Sequence, residues 1–258
     1  MADREPLVLL HGLGMSSRVW DATRRTLEPH HDVIAVTTLG HRGGSVPVRR
    51  PVTIADLVDD VERILDERVV DRPHVAGNSL GGWMALELAR RGRARSVCAL
   101  SPAGTWAAGT PEQTDGVRKI RQAARAARLG RPLPFLMRSA RVRRLAFRDV
   151  AEHGERLTPA QAAETTTDLL ACTILNDILT TGEELAPLDP SPCPVTLVWS
   201  ADDRILPLAV NGGVARRRVP GARFVVLPAV GHVPMIDDPS AVAVAVLAAT
   251  GAERAVRD

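Results

Sequence analysis

Val75-Ala76-Gly77-Asn78-Ser79-Leu80-Gly81-Gly82 sets a serine between glycines, directly after an apolar strand-like stretch and directly before the helical pattern Trp83-Met84-Ala85-Leu86-Glu87-Leu88-Ala89. A serine on so tight a strand-to-helix turn takes strained backbone angles, and side chains at 77 and 81 would collide with the neighbouring strand and helix. Gly77 and Gly81 remove those side chains. The hydroxyl is then presented at a helix N-terminus, where unpaired N–H groups and the helix dipole can stabilise an oxyanion. The stretch is the pattern of a nucleophile carried on a strand–turn–helix unit.

The flanking sequence repeats this alternation. Upstream, Leu7-Val8-Leu9-Leu10 runs into His11-Gly12, and Val33-Ile34-Ala35-Val36 runs into a segment holding Gly40, Gly43 and Gly44. Runs that are apolar on both faces suit central strands of a parallel sheet covered by helices. In residues 53–66 the apolar positions Ile54, Leu57, Val58, Val61, Ile64 and Leu65 recur at helical spacing, with Thr53 and Asp56 placed to form a capping box. Pro73-His74-Val75-Ala76 and Ser96-Val97-Cys98-Ala99-Leu100 read as the next strands. From about residue 106 to 188 the strand signal gives way to Ala/Arg/Leu-rich helical stretches broken at Pro132, Pro134, Pro159 and Gly182. Strands resume at Val195-Thr196-Leu197-Val198-Trp199 and Arg223-Phe224-Val225-Val226-Leu227, and an apolar helix over about 240–249 closes the pattern. Alternation interrupted once by helices predicts an α/β fold, a doubly wound sheet carrying a helical insertion.

Composition narrows the function classes. The 258 residues are 45% hydrophobic, enough for one large domain with an inserted lobe. No run of about 18 apolar residues occurs, and the first residues lack a signal-peptide core, so no membrane insertion and a cytoplasmic location are expected. Cys98, Cys172 and Cys193 are odd in number and lack metal-ligand spacing, which suits buried free thiols in a reducing compartment. Lys+Arg (33) nearly balance Asp+Glu (30) for a net charge of +3, so the chain as a whole is not a polyanion binder. Arginines crowd residues 118–148, yet aromatic residues make up only 3% and tyrosine is absent, so no nucleic-acid groove with stacking rings is expected. With no metal cluster, dinucleotide fingerprint or phosphate loop, no cofactor is expected, and the partner is a small-molecule substrate. Oligomeric state stays open, a homodimer among the options.

A serine hydroxyl is a weak nucleophile at neutral pH, so Ser79 requires a histidine base and an acid to orient it. His232, in Val230-Gly231-His232-Val233-Pro234 after the last strand, is the base candidate; His30, His31, His74 and His153 lie at strand starts or in the insertion, and His11 is read as bracing its loop. Asp202 and Asp203, after the strand ending at Trp199, compete for the acid role. The oxyanion donors are the N–H of Leu80 and one from His11-Gly12-Leu13-Gly14, with Leu13 favoured over Gly14. Gly12, Gly14, Asn78 and Val233, neighbours of these groups in the chain, are candidates to line the substrate pocket.

Five ordered segments together resemble the α/β-hydrolase superfamily: Leu9-Leu10-His11-Gly12-Leu13-Gly14, Gly40-His41-Arg42-Gly43, Gly77-Asn78-Ser79-Leu80-Gly81-Gly82, Asp203 with Pro207, and Gly231-His232-Val233-Pro234. The resemblance spans nearly the whole chain. It implies a mostly parallel eight-stranded sheet, with residues 1–104 and 189–258 forming the core and 105–188 a helical cap inserted after strand 6. It also supplies the register that favours Asp203, four residues before Pro207, although Ser200 stands where the family more often has glycine. Within the cap, Trp106, Phe135, Met137 and Phe147 are candidates to face the pocket.

The resemblance further separates chemistries by nucleophile. Haloalkane dehalogenases and epoxide hydrolases carry aspartate at the position of Ser79, and the usual epoxide hydrolases add cap tyrosines. The expected reaction is therefore carboxylic ester hydrolysis: His232 deprotonates Ser79, the Leu13 and Leu80 N–H groups hold the oxyanion, and water resolves the acyl-enzyme. A second reading is C–C bond hydrolysis of meta-cleavage products, whose enzymes often share the Asn-Ser-x-Gly-Gly pattern but usually follow the histidine with tryptophan where this chain has Val233. A third is a non-hydrolytic or receptor-like member of the fold.

Overall fold

A computed structural model describes residues 4–106, 111–130 and 134–252. Six strands, β1 (Pro6–Leu10), β2 (Asp32–Val36), β3 (His74–Asn78), β4 (Ser96–Leu100), β5 (Val195–Ser200) and β6 (Arg223–Leu227), form one sheet in the order β2-β1-β3-β4-β5-β6. Every neighbouring pair is parallel. The chain moves outward from β1 to β2 and then returns to place β3 on the other side of β1. A switch point of this kind opens a crevice at the carboxyl ends of β1 and β3.

Strand geometry explains how one apolar run feeds two cores. Side chains alternate across a strand, so Val8 and Leu10 join one cluster while Leu7 and Leu9 join the other. The first cluster is completed by α2 (Ile54–Glu67) and α3 (Leu80–Arg90), through Leu57, Val61, Trp83 and Met84. The second is completed by α1 (Asp21–Leu27) and the closing helix over 239–250, through Leu27, Val242 and Val246. The α2 start is fixed as the sequence predicts: Thr53 accepts from the Asp56 N–H and Asp56 accepts in return from the Thr53 N–H. The three cysteines are buried and unpaired, and burial pushes the Cys98 thiol up to about 12 and that of Cys172 up to about 11. They behave as small apolar residues.

Eight strands were expected, and the described residues contain six. The number eight came from the resemblance; the chain itself shows six apolar runs, and each became a strand. The helical insertion therefore follows β4, not a sixth strand. It comprises α4 (Pro111–Gly130), α5 (Ala140–Phe147), α6 (Pro159–Ala171) and α7 (Leu175–Leu179), and the chain then returns to the sheet at β5. Beyond β5 come α8 (Gly213–Arg218), α9 (Pro234–Asp237) and the closing helix, α10 (Pro239–Thr250). Asp168 ties the insertion to the loops after β1 and β2. Its carboxylate, almost fully buried, accepts from Ser16 Oγ at 2.6 Å, Arg18 Nη2 at 2.9 Å and Arg42 Nε at 2.5 Å. No helix among the described residues is long and apolar enough to cross a membrane.

Candidate active site

Ser79 sits between the last residue of β3 and the first of α3 with φ 56° and ψ −116°. This left-handed conformation costs a non-glycine residue on the order of 1–3 kcal/mol, so the surroundings must enforce it. They do so by close approach. A Cβ at residue 77 would lie 2.1 Å from the Gly81 carbonyl oxygen, and one at residue 81 would lie 2.3 Å from the Leu10 carbonyl oxygen. Ser79 is held in addition by its N–H donating to Leu100 O at 2.9 Å and by its carbonyl accepting from Ala103 N at 2.9 Å.

The ring of His232 is buried, and its Nδ1 donates to Asp203 Oδ2 at 2.7 Å. The other Asp203 oxygen accepts from the N–H groups of Ile205 at 2.9 Å and Leu206 at 2.7 Å. That arrangement aims the carboxylate at the ring. Asp202, its neighbour, is exposed, and its N–H donates to Val230 O at 3.1 Å. Thus the structure brings residue 203, and not residue 202, to the imidazole.

The loop after β1 is organised by two buried histidines. His11 Nδ1 donates to Gly12 O at 2.8 Å, leaving Nε2 to accept from Thr38 N at 3.1 Å. His41, packed edge-on against His11 at 4.7 Å, accepts from Gly14 N at its Nε2, 3.1 Å away. Both rings serve as acceptors and must be neutral. Burial enforces this, pulling His11 down to about 3, with the neighbouring His41 adding to the effect, and His41 down to about 4. The Gly14 N–H is therefore already engaged, whereas the Leu13 N–H makes no hydrogen bond among the described residues. The Leu80 N–H, at the first position of α3, has no acceptor within its own helix. His41 was missed as a supporting residue: its place in Gly40-His41-Arg42-Gly43 was visible, but which N–H it would receive depends on two loops meeting.

One cavity of about 450 Å³ joins these elements. Ser79 and His232 line it together with Gly12, Leu13, Gly14 and Asn78, and Val233, Met137 and Phe147 contribute apolar surface. Leu80 lies beneath it, fully buried, and Asp203 stands behind the histidine. Two expected pocket residues are placed elsewhere. Trp106 packs edge-to-face on Trp83 at 5.8 Å, drawn onto the core surface next to Gly104, and Phe135 is 58% exposed outside the cavity. Asn78 lines the cavity, and its amide nitrogen is spent on the fold: Nδ2 donates to His232 O at 2.9 Å and to Leu100 O at 3.3 Å, while its buried Oδ1 has no partner among the described residues. Another clamp escaped the sequence reading. Asp237, almost fully buried, accepts from Gly231 N at 2.7 Å, His153 N at 2.7 Å and Glu152 N at 3.0 Å, fastening the loop before His232 to the helical insertion. Nothing in Met235-Ile236-Asp237-Asp238 distinguishes that carboxylate in advance.

A parallel switch-point sheet with a serine turn at its carboxyl edge defines an α/β hydrolase, and comparison with known proteins agrees. The model of the alpha/beta hydrolase family matches residues 7–246, and the chain belongs to that family. It is 33% identical over 190 residues to the epoxide hydrolase EphH of Mycobacterium tuberculosis, spanning 72% of this chain and 89% of that protein. Among solved structures, the enol-lactonase from Burkholderia xenovorans LB400 superposes with a TM-score of 0.75 at 22% identity, covering 97% of this chain and 92% of that one. The 2-hydroxy-6-oxo-6-phenylhexa-2,4-dienoate hydrolase of Rhodococcus sp. strain RHA1 gives a TM-score of 0.72 at 21% identity, covering 96% and 90%. At such identities these two likenesses concern the fold alone.

Proposed function

We propose that the chain is a serine hydrolase, a carboxylesterase that cleaves small to medium, largely apolar esters through an acyl-enzyme on Ser79. The observation that carries this reading is a single one: Ser79, on its strained turn, lines the same cavity as His232, whose Nδ1 is 2.7 Å from the buried Asp203 carboxylate. In the proposed cycle His232 takes the Ser79 proton as Oγ attacks the ester carbonyl, and Asp203 stabilises the imidazolium. The Leu13 and Leu80 N–H groups receive the developing oxyanion. The imidazolium then protonates the departing alkoxide, and His232 activates water to release the acid. Residues 105–188 act as the cap that closes this chamber, and the free thiols suit a cytoplasmic setting.

EphH is named an epoxide hydrolase, and that activity does not carry over well. The nucleophile position here is serine, and the chain contains no tyrosine to protonate an epoxide oxygen. Cleavage of a dienoate C–C bond is the second reading, favoured by Asn78 and the Gly81-Gly82 pair. Against it, the substrate carboxylate of such a reaction wants a cation, and the one cationic side chain lining the cavity among the described residues, Lys119, is held by Arg204 O and Asp115. A panel of p-nitrophenyl esters of increasing acyl length, run beside a ring-cleavage dienoate, tests the assignment. Turnover confined to esters is expected; turnover confined to the dienoate overturns the esterase reading, and turnover of neither favours a receptor-like protein.

A further inference from the structure

We infer that Asp149 makes the substrate chamber selective by charge, admitting neutral and cationic esters and disfavouring anionic ones. This rests on the esterase reading above and adds the class of ester.

Besides Ser79, Asn78 and His232, the lining includes three consecutive threonines of α6, Lys119 of α4 and Asp149. The threonine hydroxyls are turned back onto their own helix. Thr165 Oγ1 donates to Gln161 O at 2.9 Å, Thr166 Oγ1 to Ala162 O at 2.8 Å and Thr167 Oγ1 to Ala163 O at 2.8 Å. A hydroxyl committed to the carbonyl four residues earlier is no longer seeking a partner, so these positions offer little more than methyl surface. Lys119 is committed as well: its ammonium donates to Arg204 O at 2.5 Å and pairs with Asp115 at 2.9 Å. Asp115 also pairs with Arg118, so it neutralises Lys119 only in part.

Asp149 is different. It is half-buried, lines the cavity and makes no hydrogen bond or ion pair among the described residues. Arg204, whose guanidinium donates to the carbonyl of the preceding residue, Arg148, is itself held by Glu152 at 2.7 Å. The segment that carries it is also pinned to the histidine loop. The next residue, Val150, accepts from Val233 N at 2.8 Å, and Val233 directly follows His232. Gly231 packs so tightly on this segment that a Cβ there would lie 2.9 Å from the Ala151 Cα. Among the described residues Asp149 is thus the one unpaired carboxylate lining the chamber, on the segment bonded to the histidine loop, and most of the remaining wall is apolar. Low-polarity walls lengthen the reach of such a charge.

Three p-nitrophenyl esters with the same leaving group test the inference: hexanoate, the glutarate hemiester, and 4-(trimethylammonio)butanoate. Asp149→Asn is expected to raise kcat/KM for the glutarate hemiester by about tenfold and to lower it for the trimethylammonio ester by a similar factor, the scale of one partly screened charge at several ångströms. Hexanoate turnover should stay within twofold, and added salt should shrink the wild-type preference. Asp149→Ser should reproduce the pattern, since charge and not amide chemistry is responsible. Equal changes for all three esters, or no change for any, overturns the charge-selectivity inference while leaving the esterase reading intact. Absence of hexanoate turnover in the wild-type protein overturns the esterase reading instead.

Discussion

Asn78 Nδ2 donates to the main-chain carbonyl of His232 at 2.9 Å, so the residue that precedes the serine grips the backbone of the histidine across the sheet edge. Two carbonyl oxygens, those of His232 and Leu100, fix which end of the amide faces them. Asn78→Ala leaves the His232 carbonyl unpaired in a buried site, a loss of about 1–3 kcal/mol. The expected result is a lower Tm and a fall in kcat of about 10- to 100-fold as the ring loses its alignment with Ser79. KM for an apolar ester should move little. Steady-state kinetics alongside a thermal melt check this, and a selective rise in KM would instead make Asn78 a substrate ligand.

Asp203 and Asp202 are adjacent in sequence and opposite in environment. Asp203→Asn removes the acceptor for His232 Nδ1 and is expected to lower kcat by on the order of 10³ to 10⁴. Asp202→Asn, at an exposed side chain, should leave kcat within about threefold of wild type, as surface changes away from a site usually do. Kinetics of the two variants on one ester decide the matter; the reverse ranking assigns the acid to residue 202.

The paired histidines beneath the Leu13 loop predict how stability responds to acid. Both are held neutral by burial, His41 down to about 4 and His11 down to about 3, against 6.5 for an unperturbed ring. Between pH 6.5 and 4 the unfolded chain binds protons at these positions and the folded chain does not, so the slope of unfolding free energy with pH is positive. Stability is therefore present above pH 6.5, declines as pH falls through that window, and ceases to decline from this cause below the folded-state values. His41→Gln, whose amide oxygen can still accept from the Gly14 N–H, should flatten the acid side of a Tm-against-pH curve while keeping most of the activity. His41→Ala should lower kcat more than KM, because the loop that offers the Leu13 N–H is no longer held.

How much of this was legible beforehand follows from which interactions are local. The turn at Ser79 was readable because its constraint lies within five residues: two backbone approaches that tolerate no Cβ. The six apolar runs were likewise local, and each formed a strand; the expected eighth-strand count was carried in from relatives and found no runs to match. Pocket aromatics were readable only in part, Phe147 lining the cavity and two others not. Ring size says nothing of direction, and Trp106 turned to Trp83 while Phe135 turned to solvent. His41, Asp237 and Asp149 owe their roles to segments that meet only in the folded chain, as with Asp237 joining residues 152, 153 and 231. The choice between Leu13 and Gly14 could be made only once the His41 ring was seen to occupy the Gly14 N–H.

The most direct measurement is intact-protein mass spectrometry, with peptide mapping, after treatment with a fluorophosphonate, run beside p-nitrophenyl ester turnover of the same samples. A single adduct on Ser79 with parallel loss of activity, and neither adduct nor turnover above one-thousandth of wild type in folded Ser79→Ala, is the predicted result. An adduct on another residue, or Ser79→Ala turning over ester within tenfold of wild type, would contradict it.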